Sequence, residues 1–483
     1  MSSSPADSRW RIGEPPPAAI LARQAYYEWL IVGVTCVGAF IGQIDGSIVQ
    51  LALPALTQVF DRSVDDIRWV AILYPLAYAA FLPVASRTCE IYGRKLLYLA
   101  GFAIFAVASL LCGFAPNLVW LVVFRIVQGI GGAMLGANSM AILVTSIDSS
   151  RRAHAIGLYT TAQAIGVSVG PAAGGLLLEL LNWQWVFWVA VPFGLTATLA
   201  GWFILPRTAN VARDKRFDWV GAILLVPSLV LAILTLNQVS VWPPTSVAMI
   251  LVVVGAVTLF VLFVWRERTA PAPLVDLTVF RHRAFTAGVV GVALSYALVF
   301  GMFFLISFAL IHGFHNSALL AGFKLAIIPV AMGITAPLGI AAAKKFGSSV
   351  VCVSGMALVV ASLVALLVIG EHPVNTLVTG LSSLAVFGVG LGLFMAPNNH
   401  ATIDSAPADR ASQAAAMLNL LRVFGSCAGV SAASSMMSWR IHQHDAIFGG
   451  RPLINAVESS FAVLILFAVV AAGASLVRSP KPA

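Results

Sequence analysis

The chain has 483 residues, 60% of them hydrophobic and only 10% charged, with a mean hydropathy of +0.94 and a formal net charge of +9. Soluble domains carry roughly 25% charged residues, so this composition excludes a soluble globular protein and implies an integral membrane protein. The basic residues sit in short clusters between apolar runs and not on one soluble face, which argues against nucleic acid as the partner for that charge.

Residues 1–28 are rich in Ser and Pro, with Glu14 followed by Pro15, Pro16 and Pro17, and read as a disordered cytoplasmic tail. The first apolar run begins too late and is too long to be a signal-peptide core. With about 20 apolar residues needed per span, runs occur at 29–55, 67–86, 96–115, 118–146, 154–179 and 185–205. Two more follow at 218–239 and 246–265, then six at 285–310, 317–342, 348–370, 374–397, 411–437 and 457–477. The fold class expected is all-α integral membrane, with fourteen spans. They divide into a six-helix bundle over 29–205, a linker with two inserted helices over 206–283, a second six-helix bundle over 284–478 and a short tail at 479–483.

Lys and Arg in the loops set the orientation. With both termini in the cytoplasm, twenty-one basic residues fall inside, and four, Arg62, Arg68, Arg440 and Arg451, fall outside. Three lie within spans: Arg125, Lys324 and Arg422. Two similar bundles rocking about a site at the membrane midplane would make a transporter, but periodicity alone also admits a channel or a polytopic enzyme.

In the first span, Ala39–Pro54 places one carboxylate, Asp45, deep in an apolar run. A charge at that depth costs roughly 2.5–3.5 kcal/mol on insertion scales, so Asp45 must face a cavity or a partner. The other acids near spans, such as Asp65, Asp66, Glu179, Asp218 and Glu458, fall near span ends, where solvation explains them. Gln50 keeps an amide near the acid. Between the second and third spans lie Glu90, Gly93, Arg94 and Lys95. Lys344, Lys345 and Gly347 form a weaker echo at the corresponding place in the second half. The fourth span carries Arg125 with Gln128 one turn on, and a buried guanidinium needs a carboxylate, carbonyl or water; a contact with Asp45, direct or through water, is the simplest arrangement. The fifth carries Gly166, Gly170, Pro171, Gly174 and Gly175, a stripe that permits close helix approach, with a proline kink.

Together these stretches resemble the major facilitator superfamily. Glu90 to Lys95 is similar to its gating loop, with Ser86, Glu90 and Ile91 as departures; Arg125 to Gln128 is similar to its proton-coupling motif, and Gly166 to Gly175 to its antiporter motif. The segment Asn182–Gly194 and the stretch opening at Asp45 resemble the fourteen-helix drug:proton antiporters. The resemblance implies a proton-coupled efflux transporter in the inner cell membrane, exporting small amphiphilic drugs or toxic organic compounds by alternating access. It implies Asp45 and Arg125 in proton coupling, no cofactor beyond the proton gradient, and substrate, protons and lipid bilayer as partners, with no nucleic acid. In a Gram-negative envelope it leaves room for a periplasmic adaptor and an outer-membrane channel. A dedicated exporter of an endogenous metabolite or lipid fits the same residues, and a channel or scaffold remains the alternative.

Gln50, Gln128, Lys324 and Arg422 are the polar candidates for a substrate cavity. Lys324 either snorkels to the interface or faces that cavity, where it would favour anionic substrates. Phe300, Phe303, Phe304 and Phe308 either line it or pack. The absence of a P-loop pattern disfavours ATP-driven transport. His400 and Asp404 share a helical face but lack further ligands for a metal, and no catalytic triad can be picked out, so no enzyme activity and no metal are expected.

Overall fold

The computed structural model describes residues 14–208, 217–239, 241–243, 245–271, 274, 277–368, 379–405, 411–443 and 450–477. The outer part of the expected N-terminal tail, 1–13, the whole of the expected C-terminal tail, 479–483, and the linker stretch 209–216 lie outside the described residues. Among the described residues, fourteen helices are long and apolar enough to cross a membrane. They are α1 (Tyr27–Phe60), α2 (Val64–Tyr92), α3 (Arg94–Gly113), α4 (Leu118–Ser146), α5 (Ser149–Leu180) and α6 (Trp185–Ile204, broken at Val189) in the first group. Next come α7 (Trp219–Gln238) and α8 (Val247–Thr269). The last six are α9 (Arg283–Gly313, ending in a π turn), α10 (Ala318–Phe346), α11 (Ser348–Val368), α12 (Thr379–Asp404), α13 (Ala411–Gln443) and α14 (Gly450–Leu476).

Local chemistry sets where several helices begin. Ser63, Asn117, Asp218, Ser246 and Ser317 each accept a hydrogen bond from the backbone N–H three residues on, satisfying a donor that the first helical turn leaves open. Gly93 and Gly347 take positive φ, 109° and 86°, at the breaks between α2 and α3 and between α10 and α11. The same backbone device thus serves the same junction in both halves.

The helix pairings repeat as well. The main contacts α1–α5, α2–α4, α3–α4 and α3–α6 recur as α9–α13, α10–α12, α11–α12 and α11–α14. The seams between bundles, α2–α13 and α5–α10, exchange under the same relation. Two six-helix bundles of one design therefore face each other. Helices α7 and α8 pair with one another outside them, and Leu251, Val254, Val257 and Val261 of α8 stay exposed, as a lipid-facing helix requires.

An even number of spans puts both chain ends on one face, called here the terminal face; the opposite one is the far face. In their far halves the bundles are closed on each other. Gly175 of α5 approaches the backbone of Ala318 and Leu319 on α10, and Gly322 of α10 approaches Pro171. The His312 ring nitrogen Nε2 lies 3.0 Å from Pro54 O.

Two segments differ from their expected roles. Arg68, counted with the outside basic residues although it stands at the edge of the 67–86 run, lies in α2 and is 1% exposed, because Ser63 caps the helix four residues before that run begins. It pairs with Asp65 at 2.9 Å and donates to Asn237 O at the end of α7 (2.7 Å) and to Ser435 Oγ of α13 (3.3 Å). One guanidinium therefore joins the first bundle, the linker pair and the second bundle. Arg440, also expected outside, falls within α13.

Residues 14–26, expected to be disordered, instead strap the terminal face of the first bundle. Glu14 accepts from the Lys95 and Thr208 backbone N–H groups at 3.2 and 2.7 Å, and Lys95 Nζ donates to Pro15 O and Leu205 O at 2.9 and 2.7 Å. A short helical turn, Ala19–Ala22, leads into α1. The carboxylate at the start of α3 answers the unsatisfied N–H groups there, an interaction that composition does not reveal.

Replacing Arg68 with Met is expected to leave Asp65 without its close cation, at a cost of about 3 kcal/mol, near the lower end for a broken buried pair because Asp65 keeps some exposure. The check is the apparent melting temperature of detergent-solubilised protein, followed as the surviving monodisperse peak after heating. A drop of several degrees is expected, and unchanged melting would remove the clamp.

Candidate functional site

Asp45 lies midway along α1, on a face turned into the first bundle, and is 2% exposed. Arg125 Nη1 donates to its Oδ2 at 2.6 Å, and Gln128 Nε2 donates to its Oδ1 at 2.8 Å. Arg125 and Gln128 are three residues apart on α4, so both reach the same carboxylate, and Arg125 Nη1 also donates to Gln128 Oε1 at 2.6 Å. The contact expected between Asp45 and Arg125 is direct.

The remaining polar atoms are met by neighbouring helices. Arg125 Nε donates to Val70 O of α2 at 3.0 Å, and Gln128 Nε2 donates to Ser109 Oγ of α3 at 2.7 Å. The Tyr74 ring of α2 lies 4.4 Å from the guanidinium carbon, an arrangement that stabilises a cation without neutralising it. Four helices thus converge on one buried charge pair. Burial of two ions costs several kcal/mol each unless geometry and further hydrogen bonds offset it, and this network supplies both.

The glycine stripe of α5 is packed against the same part of α1. A Cβ at Gly166 would lie 3.0 Å from the Gln43 Cβ, one at Gly170 would collide with the Ser47 hydroxyl, and one at Gly174 would come 2.8 Å from Ile48 Cγ1. Gly175 and Pro171 face α10 instead. The motif therefore holds α5 tight on the helix that carries Asp45 on one side and meets the other bundle on the next.

A cavity of about 70 Å³ lies between the bundles, with Gln43, Gln50, Tyr74, Tyr78, Phe300 and Arg422 among its walls. Asp45 is not part of the wall, although its neighbour Gly46 is. Of the expected cavity residues, Gln50 and Arg422 line it. Gln128 does not, because it is committed to the charge pair, and Lys324 does not, because it sits near the far end of α10, where its Nζ donates to Asn316 Oδ1 at 2.9 Å. Phe300 is in the wall, while Phe303, Phe304 and Phe308 are fully buried packing residues.

The loop of Glu90, Gly93, Arg94 and Lys95 bonds within its own bundle here. Glu90 pairs with Arg87 at 2.8 Å, the Arg94 N–H donates to Thr208 Oγ1 at 2.8 Å, and Lys95 is occupied as described. His400 and Asp404 pair at 2.8 Å on the exposed end of α12, which runs further than the apolar run, and no metal-holding cluster occurs among the described residues. Tyr74, Ser109, Tyr78 and Asn419 were not singled out by sequence. Tyr74 and Tyr78 form an i, i+4 pair of polar aromatics within an apolar run, the one local signal that was available.

Residues 35–430 match the family model described as Major Facilitator Superfamily. Over 417 residues the chain is 30% identical to the multidrug resistance protein Stp of Mycobacterium tuberculosis (strain CDC 1551 / Oshkosh), covering 85% of this chain and 76% of that one. It is 28% identical over 413 residues to the riboflavin transporter RibZ of Clostridioides difficile (strain 630), covering 85% and 88%. Among solved structures, a bacterial homologue of the human lysosomal transporter Spinster, inward-facing and occupied, shares the fold with a TM-score of 0.67 at 15% identity, covering 94% of this chain and 97% of that one.

The α1–α5 packing yields a direct prediction. Gly170→Val is expected to cost about 1–3 kcal/mol by overpacking against Ser47, lowering the apparent melting temperature. Gly157→Val, where an added Cβ meets nothing within 4 Å, is expected to melt with the wild type. Equal melting of both variants would contradict the packing described.

Proposed function

The chain belongs to the Major Facilitator Superfamily, and on that premise we propose that it is a proton-coupled exporter of small organic compounds, with Asp45 as proton carrier and Arg125 as its counter-charge. The observation that carries this reading is the buried 2.6 Å pair between them inside a transporter fold. A proton on Asp45 removes the charge that holds Arg125 Nη1, and the guanidinium then keeps Val70 O, Gln128 Oε1 and the Tyr74 ring. Tyr74 also walls the central cavity, so the change in charge is felt at the substrate site. Proton and substrate act on each other through α1 and Tyr74 and do not compete for one carboxylate.

The basic loops favour a cytoplasmic terminal face, and the closed far halves shut the cavity off from the opposite side. Alternating access follows if the protonation state of Asp45 shifts the balance between this arrangement and its reverse. The similarity to a multidrug resistance protein supports amphiphilic drugs as cargo. The similarity to a riboflavin transporter supports, as a second reading, a transporter dedicated to one metabolite and driven by the same pair.

The test is accumulation of a fluorescent amphiphilic dye in inverted membrane vesicles under an imposed inside-acid gradient, with wild type and Asp45→Asn at equal abundance. Gradient-driven accumulation by wild type and its loss in Asp45→Asn are expected. Accumulation that survives the substitution would remove Asp45 from the coupling role.

A further inference from the structure

Arg422 is the one charged side chain among the described residues that line the central cavity. It has no acid partner among the described residues, its buried Nε has no hydrogen-bond partner, and its guanidinium carbon rests 5.1 Å from the Tyr296 ring centre. Stacking on an aromatic face holds a guanidinium in place without cancelling its charge. On the opposite side, Gln50 of α1 is 2% exposed, and its side-chain oxygen also lacks a partner. Buried polar groups are nearly always hydrogen-bonded, so two unsatisfied ones on residues that line one cavity call for an explanation. Arg125 differs on this point, since its charge is matched and its Nε and Nη1 are bonded.

The shape of the walls adds to this. Asn419, Arg422, Val423, Ser426 and Val430 form one face of α13 at three- and four-residue spacing. Facing them, α1 presents Gly38, Gly42 and Gly46, and a side chain at Gly42 would meet nothing within 4 Å. Tyr74, Tyr78 and Phe300 add ring surfaces. Ring surfaces, a cation at one point of the wall and an amide acceptor at another suit a guest with an aromatic face better than an aliphatic one.

We propose that the cavity recognises planar aromatic compounds carrying an anionic oxygen and a separate hydrogen-bond donor, the anion bound by Arg422 and the donor by the Gln50 side-chain oxygen. The inference rests on the transporter reading above for its biological meaning, but the recognition itself needs no gradient. The guest supplies the counter-charge that the protein withholds, and no acid among the described lining residues attracts a cation there. At about 70 Å³ the cavity is smaller than a drug-sized pocket, so a guest enters as the bundles part.

The test measures binding to the full chain in nanodiscs of zwitterionic lipid, with the signal of empty nanodiscs subtracted, using naphthol fluorescence anisotropy or calorimetry. Three probes are compared: 6-hydroxy-2-naphthoate, its methyl ester, which lacks the charge, and 2-naphthoate, which lacks the donor. Wild type is expected to bind the hydroxy acid about tenfold more tightly than the ester, as a charge-assisted contact implies. Arg422→Gln is expected to erase that acid-over-ester preference, and Arg422→Lys to retain part of it. Gln50→Leu is expected to erase the preference for the hydroxy acid over 2-naphthoate while leaving the acid-over-ester preference in place.

Each conclusion is a ratio within one variant, so a modest loss of folded protein cancels. Equal binding of acid and ester by wild type, an acid preference that survives Arg422→Gln, or no binding of any probe would overturn the proposal. Loss of proton-driven accumulation in vesicles would sink antiport without altering these ratios, and an ester preference here would sink the anion assignment without altering antiport.

Discussion

Two opposite charges, Asp45 and Arg125, are enclosed between helices at 2.6 Å, each about 1% exposed at its side chain. Such a pair is stable only if every remaining lone pair and N–H is met, and that requirement recruits Gln128 and Ser109, the Val70 carbonyl and the Tyr74 ring. The four helices that supply them cannot shift independently. Removing one partner, or neutralising it, leaves the other charge uncompensated in a low-dielectric interior, and a proton does this without disturbing the packing. The pair therefore fixes how these four helices lie against one another.

The rest of the first bundle is packed around the helix that carries this pair. Helix α1 carries Asp45 on one face and the cavity residues Gly42, Gly46 and Gln50 on others, and the α5 glycines hold a second helix against it at backbone distance. The same α5 meets α10 of the other bundle through Gly175 and Pro171. Close packing of small residues leaves little slack along this line from α1 to the seam between bundles.

Cation placement divides the labour among the remaining basic groups. Arg68 is spent on tying α2, α7 and α13 together, Lys95 on holding the terminal strap, and Lys324 on Asn316. Arg422 alone is left open towards the cavity. The linker pair is thereby attached at the seam and does not merely connect the bundles.

Much of this was legible in the sequence because lipid makes local rules strict. A span requires about 20 apolar residues, a buried acid is costly wherever it falls, and glycine stripes mark close contacts. Hence the fourteen spans, the family, Asp45 with Arg125 and the α5 stripe could be read directly from residue order. The tertiary structure alone decided which way each polar group turned. That Gln128 joins the charge pair, that Asp45 stays outside the cavity wall, that Lys324 lies at the far end, that Arg68 is buried in a clamp and that Glu14 binds the start of α3 all depend on partners up to 367 residues apart. No local pattern records such pairings, because hydrogen-bond partners and helix facing are set by the packing of whole helices against one another.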